Sequence, residues 1–234
     1  MFKVKRIRVY VEGCLDASLV DVMLRIIQRE YELPVDCELI GCGEKRRVMT
    51  RLMDSIARGI RAIAFVDSDT GIHDTENQVK EILSDRKIKL FELTLNQGPP
   101  PHINILYEGK YSSTIIMWAK PPEYQEGTIE DLLCRILDSN TCGKLMEFLK
   151  NIAIKTCTNY TDPRRLIRWL NKITPLIILT LCLTEGTLIW DPSIRRCGFK
   201  VIDYLEHLIL QKRPSDIVNY IRLLHEVIQK IILT

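Results

Sequence analysis

The stretch Ala62-Ile63-Ala64-Phe65-Val66-Asp67-Ser68-Asp69 indicates the fold of this chain. Its first five residues are continuously apolar, which is typical of a parallel strand buried on both faces of a sheet. Two aspartates, Asp67 and Asp69, follow directly. The stretch therefore predicts a central strand that ends in acidic side chains.

The segments around this strand alternate between strand and helix patterns. Strands are predicted at 7–11, 35–40 and 88–95 from alternating or β-branched residues. Helices are predicted from Asp16 onward, around Val48 to Ile56, and at 75–83, where Thr75 and Gln78 have the spacing of a capping box. This order predicts an α/β sandwich with a mainly parallel sheet covered by helices.

The last 96 residues have a different character from the first 138. Residues 103–107 and 113–118 predict a hairpin, and Thr128 with Asp131 predicts the start of a helix that runs to Leu137. Every strong pattern after residue 138 is helical. We therefore expect an α/β core at 1–138 and an all-helical appendage at 139–234. Formal charge divides in the same way, −3 against +6, which suits a polyanionic partner for the basic region.

Composition excludes several classes of protein. With 234 residues, 46% apolar and 27% charged, the chain is neither fibrous nor disordered. Its longest apolar run, 176–183, is interrupted by Thr180 and is far shorter than the roughly 20 residues of a membrane span. The N-terminus lacks the apolar segment of a secretory signal. A cytoplasmic location is expected. The eight cysteines form no Cys-x-x-Cys pair, so structural zinc is not expected and the cysteines are predicted to be small buried hydrophobes.

Acidic side chains follow two of the predicted strands. Glu12 and Asp16 come after the first strand, and Asp67 and Asp69 after the central one. Ligands of open α/β sheets bind at the carboxyl ends of strands, so four carboxylates converge there if the two strands are neighbours. Such crowding favours a hard cation, Mg²⁺ or Mn²⁺. Simpler roles stay open, because Asp16 also suits a helix N-cap and Asp-x-Asp also suits a turn.

These residues resemble a known family. A strand followed by Glu12-Gly13, an acidic residue four positions after the glutamate, a helix and a later strand ending in Asp67-x-Asp69 is similar to the Toprim domain of topoisomerases, bacterial primases, RecR proteins and the OLD-family nucleases. The resemblance covers about residues 5–95. It implies a Rossmann-like Toprim fold in which Glu12 acts in acid–base catalysis or binds a metal, and Asp67 and Asp69 bind Mg²⁺. An acid at Asp16 resembles the OLD-like branch, where it joins the metal site.

A second stretch extends the resemblance. Residues 126–133 are similar to a Gly-x-x-Glu-Asp-Leu stretch of small uncharacterised Toprim-like proteins of archaea and bacteria, which also end in a helical segment. The resemblance implies that Glu130 is a further metal ligand. The alternative is that Glu130 only complements the dipole of a first helical turn.

The implied activity is metal-assisted hydrolysis of phosphodiester bonds. A chain of 234 residues has no room for the large domains of topoisomerases or primases, which leaves a small nuclease, with DNA expected rather than RNA. The chain contains no Gly-x-x-x-x-Gly-Lys-Ser/Thr stretch, so an ATPase would be a separate partner chain. Two roles stay open for the helical region: it binds the nucleic acid, or it forms the surface of a homodimer.

Basic residues supply candidates for nucleic-acid binding. We expect this role for a group at the predicted helix after residue 163 and a group after Gly43: Arg164, Arg165, Arg168, Lys45 and Arg46. Such groups also occur as solvated helix faces.

Three rival functions remain from the sequence. One is a non-catalytic Toprim module that binds nucleic acid or a partner protein in repair or recombination. The other two are a phosphatase and a nucleotide-sugar glycosyltransferase, since both use Asp-x-Asp after an apolar strand. The phosphatase pattern fits poorly around Gly71, and the glycosyltransferase pattern gives Glu12 and Asp16 no role.

Overall fold

The apolar stretch at 62–66 forms a strand with no solvent exposure at any of its five residues. The structure is a computed structural model that describes residues 5–32, 35–68, 70–85, 91–120, 123–156 and 199–233, together with 166, 170, 173–175 and 177. Asp69 and the three arginines predicted to bind nucleic acid, Arg164, Arg165 and Arg168, lie outside the described residues.

Six strands form one sheet: β1 (Lys5–Val11), β2 (Val35–Gly41), β3 (Ala62–Asp67), β4 (Phe91–Asn96), β5 (His102–Tyr107) and β6 (Lys110–Trp118). Their order is β2-β1-β3-β6-β5-β4. The pairs β2–β1, β1–β3 and β3–β6 are parallel, and β5 is antiparallel to both of its neighbours. The predicted α/β class with a mainly parallel sheet is therefore confirmed.

The neighbour of β3 is not the next strand along the chain. The alternation of strands and helices places β4 after β3 in sequence, yet β6 pairs with β3 and β4 lies at the edge of the sheet. The reason is burial, because Ile115, Ile116 and Met117 of β6 are all fully buried, whereas β4 alternates between exposed and half-buried residues. A strand that is apolar on both faces is stabilised most in the interior of the sheet. The β5–β6 hairpin places β6 in the interior of the sheet, between β3 and β5.

Helices cover both faces of the sheet: α1 (Cys14–Tyr31), α2 (Lys45–Ala57), α3 (Ile72–Asp85), α4 (Ile129–Leu137), α5 (Ser139–Thr156), α6 (Phe199–Lys212) and α7 (Ser215–Leu233). One face packs against α2 and α3. The other face packs against α1, α4, α6 and α7. None of the described helices is long and apolar enough to cross a membrane.

Two helix starts differ from the sequence-based predictions. Helix α1 begins at Cys14, so Asp16 is its third residue and not its N-cap. Helix α3 begins at Ile72, so Thr75 lies inside the helix, where its hydroxyl donates to the Gly71 carbonyl oxygen at 3.3 Å. The predicted start of α4 is confirmed, because Thr128 is the N-cap and its backbone N–H donates to Asp131 Oδ2 at 2.9 Å.

One cysteine pair also differs from the expectation of free, buried cysteines. A disulfide joins Cys134 of α4 to Cys142 of α5. Cys14, Cys37 and Cys42 are not in a disulfide, and each is half-buried.

The last two helices share the core of the sheet. Leu205 of α6, together with Tyr220 and Leu224 of α7, is fully buried in the same cluster as Val9 and Phe65. Burial of this kind contributes roughly 1.5–3 kcal/mol for each large apolar side chain. The expected domain boundary at residue 138 stays a prediction, and α6 and α7 are integral to the layer that covers the sheet.

Tyr220 fastens α7 to the end of β6. Its hydroxyl donates to the Met117 carbonyl oxygen at 2.8 Å and accepts from the Ala119 N–H at 2.9 Å, and all three groups are buried. Each buried hydrogen bond contributes about 1 kcal/mol, and a buried partner left without one costs more.

We therefore expect Tyr220→Phe to lower the free energy of unfolding by about 2 kcal/mol, because the buried Ala119 N–H loses its acceptor. Urea denaturation monitored by circular dichroism measures this value. Tyr31→Phe is the matched control, since Tyr31 is 44% exposed and its loss of a hydroxyl should change stability by less than about 0.5 kcal/mol. Equal stability of the two variants would contradict the prediction.

Candidate metal centre

The carboxyl ends of β1 and β3 bring two of the predicted acids together. The two strands are direct neighbours, with Arg8 opposite Ala62 and Tyr10 opposite Ala64. Glu12 follows β1 and Asp67 ends β3, and the Asp67 N–H donates to Glu12 Oε1 at 2.9 Å. Convergence of the carboxylates requires that the two strands lie side by side, and they do.

Asp16 lies against the same strand ends from the first turn of α1. Its Oδ2 accepts from the Gly13 N–H at 3.0 Å, and its Oδ1 accepts from the indole N–H of Trp118 at 2.7 Å. The side chain is only 5% exposed. Asp16 therefore caps a backbone N–H just before α1 and also binds the side chain at the end of β6.

Glu130 approaches from α4. The first N–H of this helix, that of Ile129, donates to Asp67 Oδ1 at 3.0 Å, so Asp67 lies at the helix N-terminus and Glu130 follows one residue later. Glu130 is 8% exposed, and its buried Oε2 has no hydrogen-bond partner. A buried carboxylate oxygen in that state is costly unless something binds it.

Burial and mutual repulsion raise the pKa values of the two aspartates. Burial is the main cause of the rise in the pKa of Asp16 to about 7, followed by the charge of Glu12, while the hydrogen bonds from Trp118 and Gly13 act in the opposite direction. The pKa of Asp67 rises to about 9, mainly through burial and then through the charges of Asp16, Glu12 and Glu130. The four carboxylates therefore act on one another as a group.

The donor set fits a hard divalent cation. All four side chains offer oxygen, the ligand that Mg²⁺ and Mn²⁺ prefer. The unpartnered Oε2 of Glu130 and the repulsion within the group are the two features that a bound cation relieves. Among the described residues, no three Asp, Glu, His or Cys side chains are already arranged to hold an ion. Asp69 is outside that set.

Two residues that the sequence analysis missed hold the site together. The Ser68 hydroxyl donates to the Trp118 carbonyl oxygen at 2.6 Å, and the Ser68 N–H donates to the Gly127 carbonyl oxygen at 2.9 Å. Ser68 thereby joins the ends of β3 and β6 to the loop that precedes α4. The sequence shows Ser68 only as the residue between two aspartates, and its partners lie about 50 or more positions away.

Gly127 allows this loop to pass close to β6. Its φ is +147°, and a Cβ atom there would lie 2.3 Å from the Lys120 backbone nitrogen. In the sequence Gly127 is the glycine of the Gly-x-x-Glu-Asp-Leu stretch and precedes the cap residue Thr128, but neither feature predicts the close approach to Lys120.

The two described basic candidates lie on α2. Arg46 is exposed, with a guanidinium nitrogen 3.8 Å from Asp85 and 4.0 Å from Glu81 of α3. Lys45 is the first residue of the helix and is partly buried. Nucleic-acid binding by either residue stays a prediction.

Comparisons with protein-family models, with curated proteins and with solved structures find no match to this chain. The Toprim resemblance therefore stays an interpretation of the residues.

The raised pKa of Asp67 gives a test of the site by pH. An unfolded aspartate titrates near 3.9, whereas Asp67 titrates at about 9 in the folded protein. Between these values the folded state binds more protons, so the free energy of unfolding should fall as pH rises in chelator-treated protein. Asp67→Asn cannot ionise, so the variant should not lose stability in this way as pH rises. At about pH 8 the variant should be more stable than the wild type by at least about 1 kcal/mol, and the difference should shrink towards pH 4.

Urea denaturation across this pH range measures the effect. Asp74→Asn, a change at an exposed residue in the first turn of α3, is the control and should follow the wild-type curve. Parallel curves for wild type and Asp67→Asn would refute the proposed burial of a repelled carboxylate.

Gly127→Ala tests the close approach of the loop. The added methyl group meets backbone atoms of Ala119 and Lys120, which cannot rotate away, so we expect a loss of at least about 2 kcal/mol of stability. Gly109→Ala is the matched control, since Gly109 has φ +71° but open space around it and should cost only about 1–2 kcal/mol for the backbone conformation. Chemical denaturation measures the free energy of unfolding of both variants. An equal loss in the two would contradict the close approach of the loop to Ala119 and Lys120.

Proposed function

We propose that this protein is a Mg²⁺- or Mn²⁺-dependent nuclease that hydrolyses phosphodiester bonds. The observation that carries the proposal is the convergence of Glu12, Asp16, Asp67 and Glu130 at the adjoining ends of β1, β3 and β6, with one buried carboxylate oxygen of Glu130 unpartnered. The resemblance to Toprim nucleases supports the same chemistry.

The residues divide into two roles. Asp16, Asp67 and Glu130, with Asp69 from the sequence, would hold the divalent cation, which supplies charge neutralisation of the phosphate and a more acidic water. Glu12 would move the proton of the attacking water. Its Oε1 is oriented by the Asp67 N–H at 2.9 Å, which fixes the carboxylate relative to the metal ligands, as an acid–base group requires.

Positioning of the ligands comes from neutral donors. The Trp118 indole holds Asp16, and the Ile129 N–H at the start of α4 holds Asp67. Each carboxylate oxygen accepts more than one interaction, so these bonds orient the side chains while leaving lone pairs for a cation. These hydrogen bonds keep Glu12, Asp16 and Asp67 in place despite their repulsion.

Nucleic acid is the substrate class that the charge distribution favours. A basic region of net charge +6 follows an acidic region of net charge −3 in the chain, and helices of the basic region pack directly on the sheet. A polyanion that reaches acidic catalytic residues needs cationic surface nearby. We place DNA before RNA on the resemblance alone.

The second candidate is a binding module without catalysis. It is favoured by the fact that both oxygens of Asp16 and one oxygen of Asp67 already accept protein hydrogen bonds. In that case the acids lock the strand ends to α1 and α4, and the protein binds nucleic acid or a partner chain without cutting it.

Cleavage of supercoiled plasmid, single-stranded DNA and RNA, with MnCl₂, with MgCl₂ and with chelator, tests the proposal. We expect metal-dependent cleavage that falls at least about 100-fold in Glu12→Gln and in Asp67→Asn, since each removes a group from the reacting centre. Asp74→Asn is the control and should retain wild-type activity. The same low rate in wild type and both site variants would point to a contaminant and refute the nuclease proposal.

Metal binding gives an independent measurement. A ligand that binds only the folded state raises its stability, so Mn²⁺ should raise the melting temperature of the wild type and not that of Asp67→Asn. A shift without cleavage would favour the binding module, and no shift in either protein would contradict the metal centre.

A further inference from the structure

A cleft of about 410 Å³ lies between β1 and α2, and half of its eight lining residues are arginines. Arg8 comes from β1, whereas Arg47, Arg51 and Arg58 come from α2 and the residue that ends it. Asp54 is the acidic residue of the lining. The lining residues therefore carry a net charge of +3, equal to the formal charge of the whole chain.

The cleft has a fixed polar floor. Tyr10 and Ser55 are 3% and 2% exposed, and their hydroxyl oxygens are 2.6 Å apart in a hydrogen bond. Hydroxyl groups at the base and guanidinium groups at the rim are the combination that hydrogen-bonds phosphate oxygens. Arg47, Arg51 and Arg58 are exposed, so their guanidinium groups reach a ligand from solvent.

Two of the arginines have acidic neighbours that a ligand must compete with. Arg8 Nε lies 3.4 Å from Glu38, and Arg47 Nε lies 2.9 Å from Glu44. Both are surface ion pairs with partly exposed members, and such pairs contribute little. The guanidinium group has five donors, so each arginine keeps donors for a phosphate.

The arginines of α2 form a stripe. Arg47, Arg51 and Arg58 follow one another at intervals of four and seven residues, which places them on one face of a helix. At 1.5 Å per residue the stripe extends about 16 Å. A strand of B-form geometry carries one phosphate per 3.4 Å along the axis, so the stripe matches several consecutive phosphates.

The upper end of the stripe lies near the candidate metal centre. The Gly43 N–H donates to the Glu12 carbonyl oxygen at 2.8 Å, and α2 begins two residues later at Lys45. None of the four carboxylates lines the cleft itself. The cleft is therefore separate from the carboxylates, and its first lining residue on α2, Arg47, lies two residues after the start of the helix.

We propose that this cleft binds the phosphodiester backbone of a nucleic-acid strand and guides the strand to the carboxylate cluster. The choice of ligand rests on the proposed nuclease function. A polyanion is repelled by four converging carboxylates, and a cationic track beside them offsets that repulsion and sets the direction from which the strand arrives. Arginine suits the task because its planar group contacts phosphate with two donors at once.

Fluorescence anisotropy of a labelled single-stranded oligonucleotide, in chelator so that no cleavage occurs, tests the cleft. The test variant is Arg51→Gln with Arg58→Gln, which removes two charges from exposed positions of α2. The matched control is Lys80→Gln with Lys110→Gln, which removes two charges from exposed positions of α3 and β6 that neither line the cleft nor belong to the basic region.

We expect the cleft variant to bind roughly tenfold more weakly than the wild type, with a slope of log K against log salt that is smaller by about 1.4, since each lost phosphate contact of a single strand contributes about 0.7. The control should bind like the wild type. Equal binding by the cleft variant and the wild type, or no saturable binding by the wild type, overturns the inference. Competition by polyglutamate as strong as that by unlabelled oligonucleotide at equal charge would also overturn the inference, because it would show binding of any polyanion.

Cleavage separates the failure of this inference from that of the proposed function. Loss of oligonucleotide binding in the cleft variant, in a protein that cleaves nothing with any metal, supports the cleft and refutes the nuclease. Metal-dependent cleavage with an unchanged KM in the cleft variant supports the nuclease and overturns the cleft.

Discussion

The end of β6 is the point on which the architecture of the site depends, and Trp118 is its main residue. The indole N–H donates to Asp16, the carbonyl oxygen accepts from Ser68, and the ring stacks on Phe65 with centroids 4.8 Å apart and contacts Tyr220 at 5.0 Å. One fully buried side chain therefore links α1, β3 and α7. A large aromatic with a polar edge suits this role, since it fills the core and still satisfies a buried acceptor.

The cost of this arrangement is the burial of like charges. Asp16 and Asp67 have raised pKa values because water is excluded and because Glu12 and Glu130 lie near them. Donors from Gly13, Trp118 and Ile129 offset part of this cost but leave Glu130 Oε2 unpartnered. Perturbed carboxylates of this kind concentrate at functional sites, which is why we propose a cation-binding role for the cluster.

Local patterns predicted the parts of the fold that depend on neighbouring residues. The apolar run of β3, the cap of α4 by Thr128 and Asp131, and the β5–β6 hairpin all follow from spacing along the chain. The starts of α1 and α3 were misplaced by a few residues, because Gly13 and Gly71 precede those helices without a side chain that marks a cap. The role of Ser68 was not predicted, because its partners Trp118 and Gly127 are distant in sequence.

The sequence by itself determined the α/β class and the acidic residues at the ends of β1 and β3, since buried strands and their polar ends are properties of short segments. Only the tertiary structure decided that β6 lies beside β3, that Asp16 and Glu130 face the same strand ends, and that Arg8 joins the arginines of α2 in one cleft. The reason is that long-range pairing is selected by total burial across the whole sheet, and no single segment contains that information.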